Sequence, residues 1–383
     1  MDDQELIKAF KPAPEKDFSS EELSEDELLR LRHAGIELNT DKKAGSFLQI
    51  NQAVKHCQAV PEGVEILPIK EALKKYDGLK DYWWKAVEKD KDAFTKEADQ
   101  DLDNGYFIRI KKGAVVNYPI QSCLYIRDEG ISQKVHNIVI VEEGAKANII
   151  TGCTTHPHLK SGLHIGVSEF FIEKGAYLIF TMIHNWAEDV YVRPRTGIIL
   201  KERSVFVSNY ISLKGVKSVQ TFPTAYLNGE GAMASFNSVV VAPKGSSLDL
   251  GSRVVLNAPK SKAEIISRTI SYGGSVYARG HLIGKAKEIK AHLECQGLML
   301  SKSGVIRAIP ELEAHVPDVD MSHEAAVGRI AQEEIEYLMA RGLSDEEAVS
   351  TIVRGFLNVK IEGLPPELDD EIQEVVKECQ KGM

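Results

Sequence analysis

Apolar positions along the chain change their spacing twice, and the changes divide it into three stretches. In residues 1–104, the segment SSEELSEDELLRLRHAG places Ser19 or Ser20 ahead of Leu23, Leu28, Leu29 and Leu31 at partly helical spacing in a highly charged surround. Farther on, IKEALKKYDGLKDYWWKAVEKDKDAF sets Trp83 and Trp84 side by side in another charged segment. Adjacent tryptophans of this kind anchor a surface helix onto a core, so the first stretch is expected to be a helical region.

From Gly105 onward the spacing shortens to two. YFIRI, HNIVIV, ANIITG, EFFIEKG, YLIFTMI, VFVSNYISL, NSVVVA and AEIISRTISY are short alternating runs rich in Val, Ile, Tyr and Thr, which is the signature of strands. The breaks between runs recur in a related form, as Lys112-Gly113-Ala114, Glu143-Gly144-Ala145, Lys174-Gly175-Ala176, Glu230-Gly231-Ala232 and Lys244-Gly245-Ser246. Gly113, Gly144 and Gly175 fall 31 positions apart. A repeated charged residue, glycine and small residue, turning strand after strand with no helix between, favours a solenoid over a sandwich or a barrel. The expected fold is therefore mainly β, with a parallel β-helix core over 105–317 between helical ends.

After Asp318 helical spacing returns, giving a predicted helical region over 318–383. In LSDEEAVSTIVRGFL, Ser344 and Glu347 make a capping box, and Ala348, Val349, Ile352, Val353, Phe356 and Leu357 form one apolar stripe. Pro365-Pro366 suits the start of a further helix. Short amphipathic helices need a surface to cover them, either the solenoid or another protein. Ser344, Glu347, Val349, Ile352, Val353 and Phe356 are therefore candidate partner-binding residues.

Composition narrows the function classes. A net charge of −9 offers no basic field for a phosphate backbone, so nucleic acid is not an expected partner. The amino terminus lacks the pattern of an export signal, and no apolar run reaches the roughly 18 residues of a membrane helix, so the chain is placed in the cytoplasm. Five scattered cysteines, Cys57, Cys123, Cys153, Cys295 and Cys379, do not form a disulfide framework and are read as reduced thiols. No G-x-x-x-x-G-K-[ST] phosphate loop is present.

Three places carry candidate chemistry. Cys153-Thr-Thr-His156-Pro-His158, followed by Lys160 and His164, combines a thiol with imidazoles and a cation. That set is compatible with metal binding, with an activated thiol, or with no chemistry at all. In AKEIKAHLECQGLML, alternation places Cys295 on one strand face with Ile289, Ala291 and Leu293, as an inert core cysteine would also be. Ser322-His323-Glu324 lies where the helical region is expected to begin, so Glu324 also reads as a helix-dipole partner. Thiolate, imidazole and carboxylate together suit iron, the carboxylate leaving a more exchangeable position than a further thiolate.

The run from Cys295 through SHEAAVGRI and EEIEYLMARGLSDEEAVSTIVRGF resembles the carboxy-terminal block shared by the SufB/SufD family of iron–sulfur cluster assembly scaffolds. The resemblance extends through the strand region and fades over residues 1–100. It implies a right-handed parallel β-helix, two subunits meeting through their β-helices, and a SufC-type ABC ATPase on the carboxy-terminal helices. It also implies a non-catalytic scaffold that takes persulfide sulfur from a donor and builds a transient iron–sulfur cluster, with a reduced flavin as a further cofactor in bacterial relatives.

Carried over by position, Gly152-Cys153-Thr154 matches the motif of the sulfur entry cysteine, and Cys295 matches the cysteine that holds sulfur or the nascent cluster. Glu324 and His323 match the interface carboxylate and histidine. His164 and Trp186 match residues lining the sulfur path. Both cysteines being present makes the chain SufB-like. Only Cys57 lies where some bacterial relatives cluster cysteines, and His184 stands where they have glutamine. A chain shorter than bacterial SufB points to a homodimer, with a SufD-like second subunit as the other case. Two readings compete: a zinc protein using Cys153, His156, His158 and His164, and a carbohydrate-active β-helix enzyme.

Overall fold

Between residues 106 and 328 the alternating runs become strands, nearly all paired in parallel with the strand one coil earlier. The computed structural model describes residues 2–13, 23–37 and 42–357. Among these, the coils stack into an eleven-stranded and a ten-stranded sheet. Inward-pointing Val, Ile, Leu and Phe of both sheets interdigitate in one long core, the arrangement expected of a β-solenoid.

The glycine repeat marks one corner of the solenoid. Gly113, Gly144 and Gly175 have φ of 71°, 70° and 65°, a left-handed conformation that costs a glycine nothing. Their N–H groups donate to the carbonyls of Glu143, Lys174 and Glu202 in the next coil, so each turn seats on its neighbour. Arg203, Lys260 and Glu288 take the same left-handed conformation at the corners of later coils, which is why the glycine signal fades along the sequence. Gly245 belongs to the opposite corner, between strands Met233–Pro243 and Ser247–Leu256.

The boundaries differ from the expectation at both ends. Within 1–104, Gly45–Ile50 pairs in parallel with Ile120–Ile126, while Ala53–Ala59 and Val64–Pro68 add as antiparallel strands closing the amino-terminal end. The buried Phe47, Leu48 and Ile50 outweigh the charged surround that suggests helix. Beyond 318, Val319–Gly328 is a strand, and the helix begins only at Gln332. Pairing with Ile289–Met299, and the packing of Val319 and Met321 on the core, override the helical propensity of HEAAV. Glu324 is thus on a strand and not at a helix start.

Helix Asp345–Leu357 turns Ala348, Val349, Val353 and Leu357 onto the solenoid. Val349, Val353 and Leu357 join the outward-facing Ile150, Ile183, Ile211 and Val239 in one cluster. The solenoid itself therefore covers most of the apolar stripe. Pro365-Pro366 and Cys379 lie outside the described residues.

Segment 69–100 covers the outer face of the eleven-stranded sheet. Trp83 and Trp84 sit there in a turn and not in a helix, with Trp83 stacked on His136 at 3.9 Å between ring centres. Beneath them Glu169 is fully buried and accepts the backbone N–H groups of Trp84 (2.7 Å), Ala86 (2.6 Å) and Val87 (3.1 Å), with His136 Nε2 at 2.8 Å. Removing a buried carboxylate that satisfies so many donors leaves them all unpaired. Glu169→Ala is expected to cost about 3–5 kcal/mol in urea unfolding, by analogy with broken buried pairs. A loss below about 1 kcal/mol, the usual net worth of one hydrogen bond, would show the clamp to be dispensable.

Candidate functional site

Parallel register fixes which side chains meet inside the ten-stranded sheet, because paired residues point to the same face. One inward rung runs Leu124, Cys153, His184, Ser212. The rung beside it runs Ser122, Thr151, Met182, Tyr210, Ser238, Ser267, Cys295. The two are joined where His184 Nδ1 lies 2.9 Å from the Tyr210 hydroxyl. Cys153 and Cys295 are separated by five strand steps, or about 24 Å at the usual strand spacing.

Around Cys153 the interior carries buried polar side chains. His164, from the facing sheet, holds Nδ1 3.0 Å from Gln133 Oε1, an arrangement that makes Nδ1 the donor. Gln133 in turn donates to the carbonyls of Asn51 and Tyr125. Trp186 packs between the two imidazoles, 5.0 Å from His164 and 5.6 Å from His184. Burial pushes both histidines down to about 3, with His164 adding to the effect on His184, so both are neutral at physiological pH. Burial also raises the Cys153 and Cys123 thiols well above their ordinary value. The resting Cys153 is therefore a protonated thiol beside neutral imidazoles.

Glycine before Cys153 has a local cause. Helix Glu25–His33 ends against it, and a Cβ on Gly152 would run into the Ala34 carbonyl. The helix is pinned by Arg30, which donates to Asn185 Oδ1 at 3.0 Å, and by buried Glu27, which accepts from the Tyr125 hydroxyl at 3.1 Å.

At the other end, Cys295 is 2% exposed, and burial, then Glu294, raises its thiol to about 11. His323 pairs with Leu293 and so faces the same side as Cys295, whose own partner is Ala325. Glu324 pairs with Glu294 on the outer face, where Glu294 is already held by Arg268 (2.6 Å) and Gln296 (2.8 Å). Cys295, His323 and Glu324 thus share one edge of the solenoid but not one face. His156 and His158 sit at a corner, away from the interior face of Cys153 and His164, with His156 Nδ1 accepting the His158 N–H. Among the described residues, no three His, Cys, Asp or Glu side chains converge as a metal-binding group.

A cavity of about 70 Å³ lies inside the solenoid, lined by Tyr210, Phe206, Phe236, Ser238 and Ser267 among others. It spans the stretch between the partner of His184 and the neighbour of Cys295. Tyr210, Gln133, Ser238 and Ser267 escape sequence reasoning, because only the register brings them beside the two cysteines. The one hint is Tyr210, a large polar residue on the inward side of VFVSNYISL.

Fold and site together define a parallel β-solenoid with two buried thiols on adjoining interior rungs and an uncovered edge beside one of them. Comparison places that architecture. Residues 124–356 match the family described as SUF system FeS cluster assembly, SufBD core domain. The chain is 54% identical over 354 residues to an iron–sulfur cluster assembly SufBD family protein of Archaeoglobus fulgidus, covering 92% of this chain and 95% of that one. A SufBD family protein of Methanothermobacter thermautotrophicus is 48% identical over 92% of this chain and 87% of its own length. SufB of Bacillus subtilis is 30% identical over 82% of this chain and 69% of its own. The chain belongs to the SufBD family of iron–sulfur cluster assembly proteins.

The buried histidines give a pH dependence with a definite sign. Their folded values, about 3, lie below the ordinary 6.5, so between those limits the unfolded chain binds more protons. Their contribution to stability is complete above pH 6.5 and is lost as pH falls toward 3. Urea midpoints followed by tryptophan fluorescence are expected to fall below pH 6.5 in the wild type, and less steeply in His164→Gln/His184→Gln. Equal slopes would contradict the assignment.

Proposed function

We propose that this chain is the scaffold on which a SUF-type complex builds an iron–sulfur cluster, with Cys153 as the sulfur acceptor and Cys295 as the thiol that receives sulfur for the nascent cluster. The observation that carries this reading is the interior rung from Tyr210 through Ser238 and Ser267 to Cys295, with a cavity along it. A space of about 70 Å³ has room for several water-sized groups, which suits a small sulfur species. His164, His184 and Trp186 wall the Cys153 end.

The cluster is cargo, and its ligands come from the open edge. Among the described residues, strands Val305–Ala314 and Val319–Gly328 end both sheets with no further strand beside them and are largely exposed. Unpaired parallel edges of this length call for a covering partner. A second subunit on that edge, identical or SufD-like, would set His323 and Glu324 of each chain against the other, with Cys295 one strand inside. One chain supplies too few convergent ligands for a cluster, and two supply enough.

Energy comes from a separate SufC-type ABC ATPase, since the sequence carries no phosphate loop of its own. Its docking surface on helix Asp345–Leu357 is the side that carries exposed Ser344 and Glu347 beside the half-buried Ile352 and Phe356, because Val349 and Val353 are committed to the solenoid. The chain itself is not an enzyme in this reading. Among the described residues no helix is long and apolar enough to cross a membrane, and the work is assigned to the cytoplasm.

Anaerobic reconstitution with iron and sulfide, with and without a SufC-type ATPase, tests the reading by metal content and visible absorption. Wild type is expected to take up iron and acid-labile sulfide, Cys295→Ala to lose nearly all of it, and Glu324→Ala to lose a substantial part. Identical uptake by all three would reduce Cys295 to a core cysteine.

A further inference from the structure

At the corner opposite the glycine turns, a groove of about 730 Å³ runs across successive coils, within the range of small-ligand sites. Arg30, Lys160, Lys214, Lys217 and Lys244 line it, against two carboxylates, Glu188 and Asp189. Lys217 is paired with Asp189 at 3.2 Å, Arg30 donates to Asn185, and Lys214 Nζ lies 3.3 Å from His33 Nδ1. Lys160 and Lys244 are exposed. On a chain of net charge −9, this concentration of cations makes a local positive field in an otherwise repulsive surface.

The floor of the groove supplies a second, independent observation. Trp186 lines it while 2% exposed, and its indole N–H is buried without a hydrogen-bond partner. Beside it the Asn185 carboxamide NH₂ is also buried and unpartnered. Buried donors left unsatisfied are rare and point to an acceptor that is missing. Leu159, Trp186, Ala187 and Val216 line the groove and also belong to the core cluster that contains Cys153, so these side chains form the partition between them.

We propose that the groove binds a small anionic persulfide, its carboxylates on the lysines and its sulfur end toward Trp186, and presents it to Cys153. The proposal rests on the reading of Cys153 as sulfur acceptor and names the donor chemistry that this entrance selects. In the transfer, Cys153 Sγ bonds to the terminal sulfur of the donor as the donor S–S bond breaks. The donor leaves as a thiol carrying the Cys153 proton, so one persulfide is consumed and one formed, with no net oxidation.

Two measurements test it on the full chain. Binding of S-methylglutathione, an anionic peptide that cannot transfer sulfur, is followed by calorimetry in wild type, Cys153→Ala and Lys160→Glu/Lys244→Glu. Sulfur transfer from glutathione persulfide and from N-acetylcysteamine persulfide, which has no carboxylate, is followed by mass analysis of the peptide containing Cys153. The expected result is binding that survives Cys153→Ala and weakens about tenfold or more on charge reversal and with added salt. The charge-reversed protein should also lose the rate advantage of glutathione persulfide over the carboxylate-free donor. Equal binding by wild type and the charge-reversed protein overturns the groove. Binding without transfer from either donor leaves the anion site standing and overturns the entry role of Cys153. Transfer only from a persulfide carried on a protein overturns the assignment of a small donor.

Discussion

Parallel register between successive coils is the constraint from which the rest of the structure follows. Each inward side chain must sit on the one below it, and a slip of one residue would send a whole rung to the outer face. The corner turns enforce this, since the N–H of Gly113, Gly144 and Gly175 each locks onto a carbonyl of the next coil. Once register is set, Cys295 has Ser267 as its neighbour, with Ser238 and Tyr210 farther along the same rung, and Cys153 has His184. No loop positions these groups. Strand pairing holds them in line along the sheet.

Burial decides what those groups are when nothing is bound. Cys153 and Cys295 are both raised as thiols, and His164 and His184 are both lowered as imidazoles. A neutral, protonated interior resists oxidation and stray metal binding, because the thiolate is both the nucleophile and the ligand. Charged side chains gather at the two ends of the proposed path. At one end lies the cationic groove behind Trp186, and at the other the edge carrying His323 and Glu324. Under the proposed function, such burial would keep Cys153 and Cys295 unreactive until their surroundings change.

Much of the fold is legible in the sequence through alternation and the glycine turns, because both reflect local backbone geometry. The boundaries are less so. Gly45–Ile50 and Val319–Gly328 are strands because they add to a ladder already formed, a long-range effect that overrides local charge and helical propensity. Cys153, His164, Trp186, Cys295, His323 and Glu324 stand out through resemblance, whereas Tyr210, Gln133 and Glu169 do not. Their neighbours depend on coil lengths that shift between 31 and 28 residues, as the left-handed corners at Gly144, Gly175, Arg203 and Gly231 record. A change of that size is invisible to any fixed-period reading. Val349 and Val353 likewise read as partner-binding until the stripe they meet on the solenoid is known.

Whether sulfur passes from Cys153 to Cys295 through the interior is the central claim, and isotopic order tests it most directly. Labelled sulfur would be loaded once from a persulfide donor, and its arrival at each cysteine followed in time by peptide mass analysis. The account predicts label at Cys153 first and at Cys295 afterwards, with Cys153→Ala abolishing the second signal although Cys295 is untouched. Label reaching Cys295 at an undiminished rate in Cys153→Ala would contradict it, since sulfur would then enter at the open edge and the interior rung would be packing alone.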